Sequence, residues 1–260
     1  MSLAETRAGS RSILRPLATF LILGFALSWY PWALHALGRP GNGGPNPIGL
    51  LLAALIAGFV DQGWRGSSAI LRSIVRVRAP LGVWALALML PFATLAAALT
   101  LASLAGIAIT PRPLPWSDLV DKFIIMFLFV GLGEEPSWRG FLLPLLQRVE
   151  TPLRATLIVA GIWAFWHLPL MGSEFAWPLV PAFLVSLLGA SFTQSFLYNA
   201  SRGSSLLPML AHALINTAGS GYVFSLVTPQ SLALFWWIYA LIWLGAGLSV
   251  AVLTRGRLGL

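Results

Sequence analysis

Cysteine is absent from the 260 residues, and charge is scarce. Without a thiol there can be no disulfide, no thiolate metal site and no cysteine nucleophile, and nothing marks a redox compartment. Charged residues make up 9% of the chain, where soluble domains carry about 25%. That scarcity excludes an ordinary soluble enzyme, a nucleic-acid-binding module and a disordered tail. Acidic residues number eight, and Lys122 is the only lysine beside 15 arginines. The net charge of +8 would suggest nucleic acid in a soluble protein. Here it is read as arginines flanking membrane spans. Arginine over lysine, with abundant alanine and glycine, points to a GC-rich bacterial genome.

Apolar residues fill the space that charge leaves, at 58% of the chain. Apolar runs recur from end to end, and about 20 such residues cross a bilayer as a helix. Eight spans are predicted: 16–37, 46–60, 81–109, 123–147, 154–172, 177–199, 204–223 and 231–253. Gly-Pro turns separate them, and no internal repeat is visible. Arg7, Arg11 and Arg15 before the first run mimic a signal peptide, but the run is too long for an h-region and further spans follow. The expected fold is an all-α polytopic helical bundle, one membrane-embedded domain over 1–260, in a bacterial plasma membrane.

With the N-terminus inside, twelve arginines fall on the cytoplasmic side, in segments around 7–15, 65–78, 148–154, 202 and 255–257. Arg39, Arg112 and Lys122 fall outside. Twelve against three is the asymmetry that the positive-inside rule requires, so both termini are expected in the cytoplasm. The segment from Trp64 to Arg78 sets Ile70, Ile74 and Val77 against Arg72, Arg76 and Arg78. It reads either as a basic amphipathic helix on the inner surface, favouring anionic lipids, or as a plain connecting helix.

The fourth span carries Gly133-Glu134-Glu135-Pro136-Ser137-Trp138-Arg139-Gly140. A charge at the bilayer centre costs about 2.5–3.5 kcal/mol on insertion scales, so such groups are functional candidates. Glu135 and Arg139, four residues apart on one helical face, can neutralise each other. Glu134 sits about 100° away around the helix and lacks that partner. A carboxylate in this setting is suited to take a proton from water. The competing reading is an ion cluster that only holds the helix. The fifth span places Trp163 and His167 four residues apart, and the seventh does the same for His212 and Asn216. A lone histidine in a bundle is more often a packing residue, and His35, at a span end, receives no role. Depth links the three helices. Glu134 lies 14 residues from Arg148, roughly 21 Å, and His167 lies 13 from Arg154, roughly 20 Å. His212 and Asn216 lie roughly 15 and 21 Å from Arg202. The groups can therefore meet across a bundle core.

Glu-Glu-x-x-x-Arg, an aromatic-x-x-x-His and His-x-x-x-Asn, in that order on successive helices, resembles the CAAX protease and bacteriocin-processing (CPBP, or Abi) family, which includes the type II CAAX prenyl endopeptidases. The likeness is clearest over about 123–220, the expected catalytic core. Trp163 stands where the family pattern usually has Phe. The resemblance implies an intramembrane, metal-independent protease. In it Glu134 and His167 activate a water, His212 and Asn216 donate to the oxyanion, and Glu135, Arg139 and Trp163 support them. It implies a peptide or prenylated-peptide substrate, a lipid bilayer as partner, no nucleic acid and no cofactor. Members without proteolysis exist, so a membrane immunity or scaffold protein is the alternative.

Other chemistries compete less well. Zinc held by Glu134, His167 and His212 is an acceptable catalytic shell, though no His-Glu-x-x-His helix accompanies it. Ser191 follows Gly189 and Ala190 in a rhomboid-like context, but small residues for helix packing explain that run equally well. Asp61, Asp118 and Asp121 lie at span ends, which leaves an aspartyl mechanism without its acids. A small proton-coupled transporter would show two related halves, which the sequence lacks. Gly245 and Gly247 permit close helix approach and leave oligomeric state open.

Overall fold

A computed structural model describes residues 3–260, with side chains from Ile13 onward. Arg7 and Arg11 therefore lie outside the described side chains. Among the described residues a helical segment stands at each of the eight predicted spans. These are α1 (Leu3–Ala36), α2 (Pro47–Gln62), α4 (Leu81–Leu104), a continuous helical stretch over 116–146, α8 (Pro152–Trp166), α9 (Val180–Ala200), α10 (Leu206–Gly221) and α11 (Leu232–Leu253). Four helices are long and apolar enough to cross a bilayer, and α2 and α8 are shorter apolar helices. The protein is an all-α, multi-pass membrane bundle.

Because consecutive helices alternate direction, the connections sort into two ends. Segments 63–80, 147–151, 201–205 and 254–260 gather at one end, with most of the arginines. Segments 37–46, 105–115, 167–179 and 222–231 lie at the other. At the arginine-rich end, Arg148 donates to Asp61 through both terminal nitrogens, one bond measuring 2.8 Å. Arg76 there donates to the carbonyl of Arg202 at 2.7 Å. The predicted surface helix is α3 (Trp64–Ile74). Ile70 is buried, but the helix stops at Ile74, so Val77 lies past it and is exposed. The anticipated apolar stripe is therefore carried by Ile70, with Ile74 half-buried.

Two predicted spans end early. The third stops at Leu104, where the chain turns at Gly106 with φ +79°. The fifth stops at Trp166, and residues 168–170 form a 3₁₀ turn with Pro169 at its centre, because proline disfavours continued α geometry in the residue before it.

The 116–146 stretch joins α5 (Trp116–Ile125), α6 (Leu132–Ser137) and α7 (Leu143–Leu146) through two π-helical turns. In these the Leu132 N–H reaches the Phe127 carbonyl and the Leu143 N–H reaches that of Trp138. The wider turns bracket the segment that carries Glu134 and Glu135, and π-turns inserted in α-helices are frequent at functional sites. Close helix packing holds it there. A Cβ on Gly133 would fall 2.5 Å from the backbone of Pro47 in α2. Between α9 and α11, a Cβ on Gly189 would fall 2.2 Å from the Trp243 carbonyl, and Gly247 abuts Gly189 in turn. The small-residue run around Ser191 thus serves helix contact, while Gly245 faces open space.

Candidate active site

Glu134 and Glu135 follow each other on α6, so their side chains leave the helix about 100° apart and enter different surroundings. Glu135 is completely buried and bonds to Arg139, also completely buried, with both carboxylate oxygens 3.1 Å from Nη1. The pair read from i, i+4 spacing is present. Glu135 has a second partner: its Oε1 accepts from Nδ1 of His212 on α10 at 2.8 Å. The buried ion pair therefore reaches across the bundle and fixes the ring of His212.

Glu134, also buried, is not left without partners. Its Oε2 accepts from the indole N–H of Trp163 at 2.7 Å and from that of Trp138 at 3.3 Å. Both bonds fall on one oxygen, which turns the carboxylate to a fixed angle. Trp163 does further work, since the Arg139 guanidinium lies 4.3 Å from its ring centroid. One indole thus holds Glu134 by its edge and Arg139 by its face.

His167 caps the C-terminus of α8. Its Nδ1 lies 2.7 Å from the Trp163 carbonyl. A carbonyl can only accept, so Nδ1 carries the hydrogen and Nε2 is left as the ring's base. By the same logic His212 carries its hydrogen on Nδ1, and its Nε2 is unengaged. Asn216, one turn beyond His212 on α10, is half-buried. Glu134, His167, His212 and Asn216 all line one cavity of about 580 Å³. Trp163 and Trp166 contribute to its wall.

Residues 116–218 match the family model for type II CAAX prenyl endopeptidase Rce1-like proteins. The match covers 103 of the 260 residues. The matched stretch contains Glu134, Glu135, Arg139, Trp163, His167, His212 and Asn216, the residues that carry the resemblance. No curated protein matches the chain.

Some polar residues outside the three motifs also bear on the cavity. Trp138 received no role from the sequence, although it stands four residues after Glu134. Gln194 on α9 is buried at the cavity wall, and its Oε1 has no hydrogen-bond partner. A glutamine inside the apolar sixth span was the available signal. Ser191, the residue of the serine-protease reading, is buried and accepts from Arg139 at 3.5 Å. Among the described residues no three His, Asp or Glu side chains stand together as a metal-binding set. Glu134, His167 and His212 line the same cavity.

Proposed function

We propose that the protein is an intramembrane endopeptidase in which Glu134 and His167 activate a water for attack on a peptide carbonyl. The observation that carries this reading is the convergence of Glu134, His167, His212 and Asn216 on one cavity, with Glu134 pinned by two indoles. Water gives a proton to Glu134, or to Nε2 of His167, as its oxygen bonds to the carbonyl carbon. The resulting oxyanion accepts from the Asn216 amide and from Nε2–H of His212 when that ring holds both protons. Glu135, shared with Arg139, supports that doubly protonated ring. As the C–N bond breaks, the proton held by Glu134 or His167 passes to the departing amine. Atoms balance with one water consumed per bond cleaved.

Reconstitution of the purified protein with a prenylated or amphipathic peptide tests the reading, comparing wild type with Glu134→Ala and His167→Ala. Cleavage abolished by either substitution and insensitive to strong chelators is expected. Cleavage unaffected by both substitutions sinks the mechanism, and loss on chelation returns the metal reading.

A further inference from the structure

We infer that Gln194 is a substrate-binding residue of the cavity, its side-chain carbonyl accepting a hydrogen bond from a backbone N–H of the bound peptide. The inference rests on the proteolytic reading of the site and adds a contact that none of the three motifs contains.

The face of α9 that lines the cavity carries Phe183, Ser186, Leu187, Ala190 and Gln194, a succession of three and four residues along one side of a helix. Ser186 is satisfied within the helix, where its hydroxyl donates to the Phe183 carbonyl at 2.7 Å. Gln194 ends the row toward the arginine-rich end and is 1% exposed. A polar side chain inside a span is costly and calls for a partner.

That partner is missing. Three buried polar atoms without a hydrogen bond belong to residues that line the cavity: Nε1 of Trp166, Oε1 of Gln194 and Nε1 of Trp243. The two indoles can only donate, so Gln194 alone of the three offers an acceptor. Thr156, Ser195 and Thr217 also bury unpartnered hydroxyls, but none of them lines the cavity. The terminal torsion of a glutamine is broad, so Oε1 can turn to meet a bound chain.

Gln194 also stands at a useful level. Side chains on a helix lean toward its N-terminus. The N-terminus of α9 is at the arginine-poor end and that of α10 at the arginine-rich end, so Gln194 and His212 lean toward a common level. With Arg202 as reference, Gln194 lies roughly 12 Å and His212 roughly 15 Å along their helices. Asn216, the oxyanion donor of the proposed mechanism, lies roughly 9 Å beyond Gln194. An extended peptide advances about 3.3 Å per residue, so the N–H that Gln194 receives is about two or three residues from the cleaved bond.

Charge selects the class of donor. Gln194 is neutral, and a charged group buried against it would be left uncompensated. No arginine or lysine lines the cavity, and the buried Arg139 is engaged by Glu135. A backbone N–H is the neutral donor that every peptide brings, whatever its side chains.

Gln194→Met keeps the length of the side chain and removes the amide. Binding of a dansyl-labelled prenylated peptide to the purified Glu134→Gln protein in mixed micelles reads the contact without cleavage. Adding Gln194→Met should raise Kd about five- to tenfold. The unfolding midpoint should stay at or above that of the parent, because an unpaired buried group is gone. Peptides in which one backbone amide at a time becomes an ester, losing its N–H, locate the contact. At one position the ester should weaken binding to the Glu134→Gln protein by a similar factor and cost nothing further once Gln194→Met is present. Equal ester penalties at every position with and without Gln194→Met mean that the glutamine meets only water, and overturn the inference. A lowered midpoint with unchanged Kd shows a purely structural glutamine and overturns it too. Ester coupling in a protein that cleaves nothing would keep the peptide contact and reject only the proteolytic reading. Cleavage by Gln194→Met with the wild-type KM would keep the protease and reject the contact, and a peptide that does not bind at all overturns both.

Discussion

Replacing Arg139 with Met should destabilise the bundle more than any surface change. Arg139 and Glu135 are both fully buried, and methionine keeps much of the volume while deleting the guanidinium. Glu135 would then keep His212 as its one remaining partner. Removing one member of a buried ion pair typically costs about 3–5 kcal/mol, because the survivor is an uncompensated charge. Loss of the cation from the face of Trp163 adds up to about 2 kcal/mol at a desolvated site. The single variants Arg139→Met and Glu135→Gln should each lose at least about 3 kcal/mol, more than a hundredfold in the folding equilibrium. The double variant leaves neither charge stranded and should lose far less than the sum. Reversible unfolding in mixed micelles measures all four proteins as a double-mutant cycle. Additivity within about 0.5 kcal/mol would show that Glu135 and Arg139 are not energetically coupled, contrary to the buried pair's geometry.

Further expectations concern the site and the arginine-rich end. Trp163→Phe keeps the ring beneath Arg139 but deletes the 2.7 Å bond to Glu134. A hydrogen bond to a charged group is worth about 1.5–3 kcal/mol, so turnover should fall by roughly ten- to a hundredfold with little change in unfolding midpoint. Asn216→Ala should lower kcat by about 10²–10³-fold if the amide meets the oxyanion, whereas a purely structural asparagine would alter stability and leave kcat intact. Hydrogen bonds from Arg148 hold the Asp61 carboxyl, just past the second span, below its ordinary range, against a smaller opposing effect of burial. A depressed folded value means that this stabilisation is present above the unfolded value near pH 4 and is lost as pH falls through the folded one. Thermal midpoints should therefore drop below about pH 4 in wild type, and Asp61→Asn should flatten that part of the profile.

Much of this was legible without coordinates because a bilayer makes polarity conspicuous. The spans follow from apolar runs, and the Glu135–Arg139 pair follows from spacing within one helix, which backbone geometry sets. Contacts between helices were less visible. That His212 bonds Glu135 depends on the approach of α10 to α6, and i, i+4 logic stops at the edge of one helix. Trp138 passes for a packing residue in a chain with 12 tryptophans, and Trp163 stands out only through the aromatic-x-x-x-His motif. Only their orientation shows the N–H groups aimed at Glu134, which spacing alone had left unpartnered. The π-turns on either side of α6 have no compositional signature, and the early end of α8 hinges on Pro169 within an otherwise apolar run.

In the proposed mechanism Glu134 activates the water that cleaves a peptide bond. Glu134→Gln keeps the size of the side chain and its acceptor for both indoles while removing the base. Mass spectrometry of peptide products from the purified, reconstituted proteins is the direct measurement. Clean endoproteolysis by wild type and a loss of at least about 10²-fold in the variant, with an unchanged unfolding midpoint, are expected. Cleavage by Glu134→Gln at the wild-type rate and the same bond would contradict it.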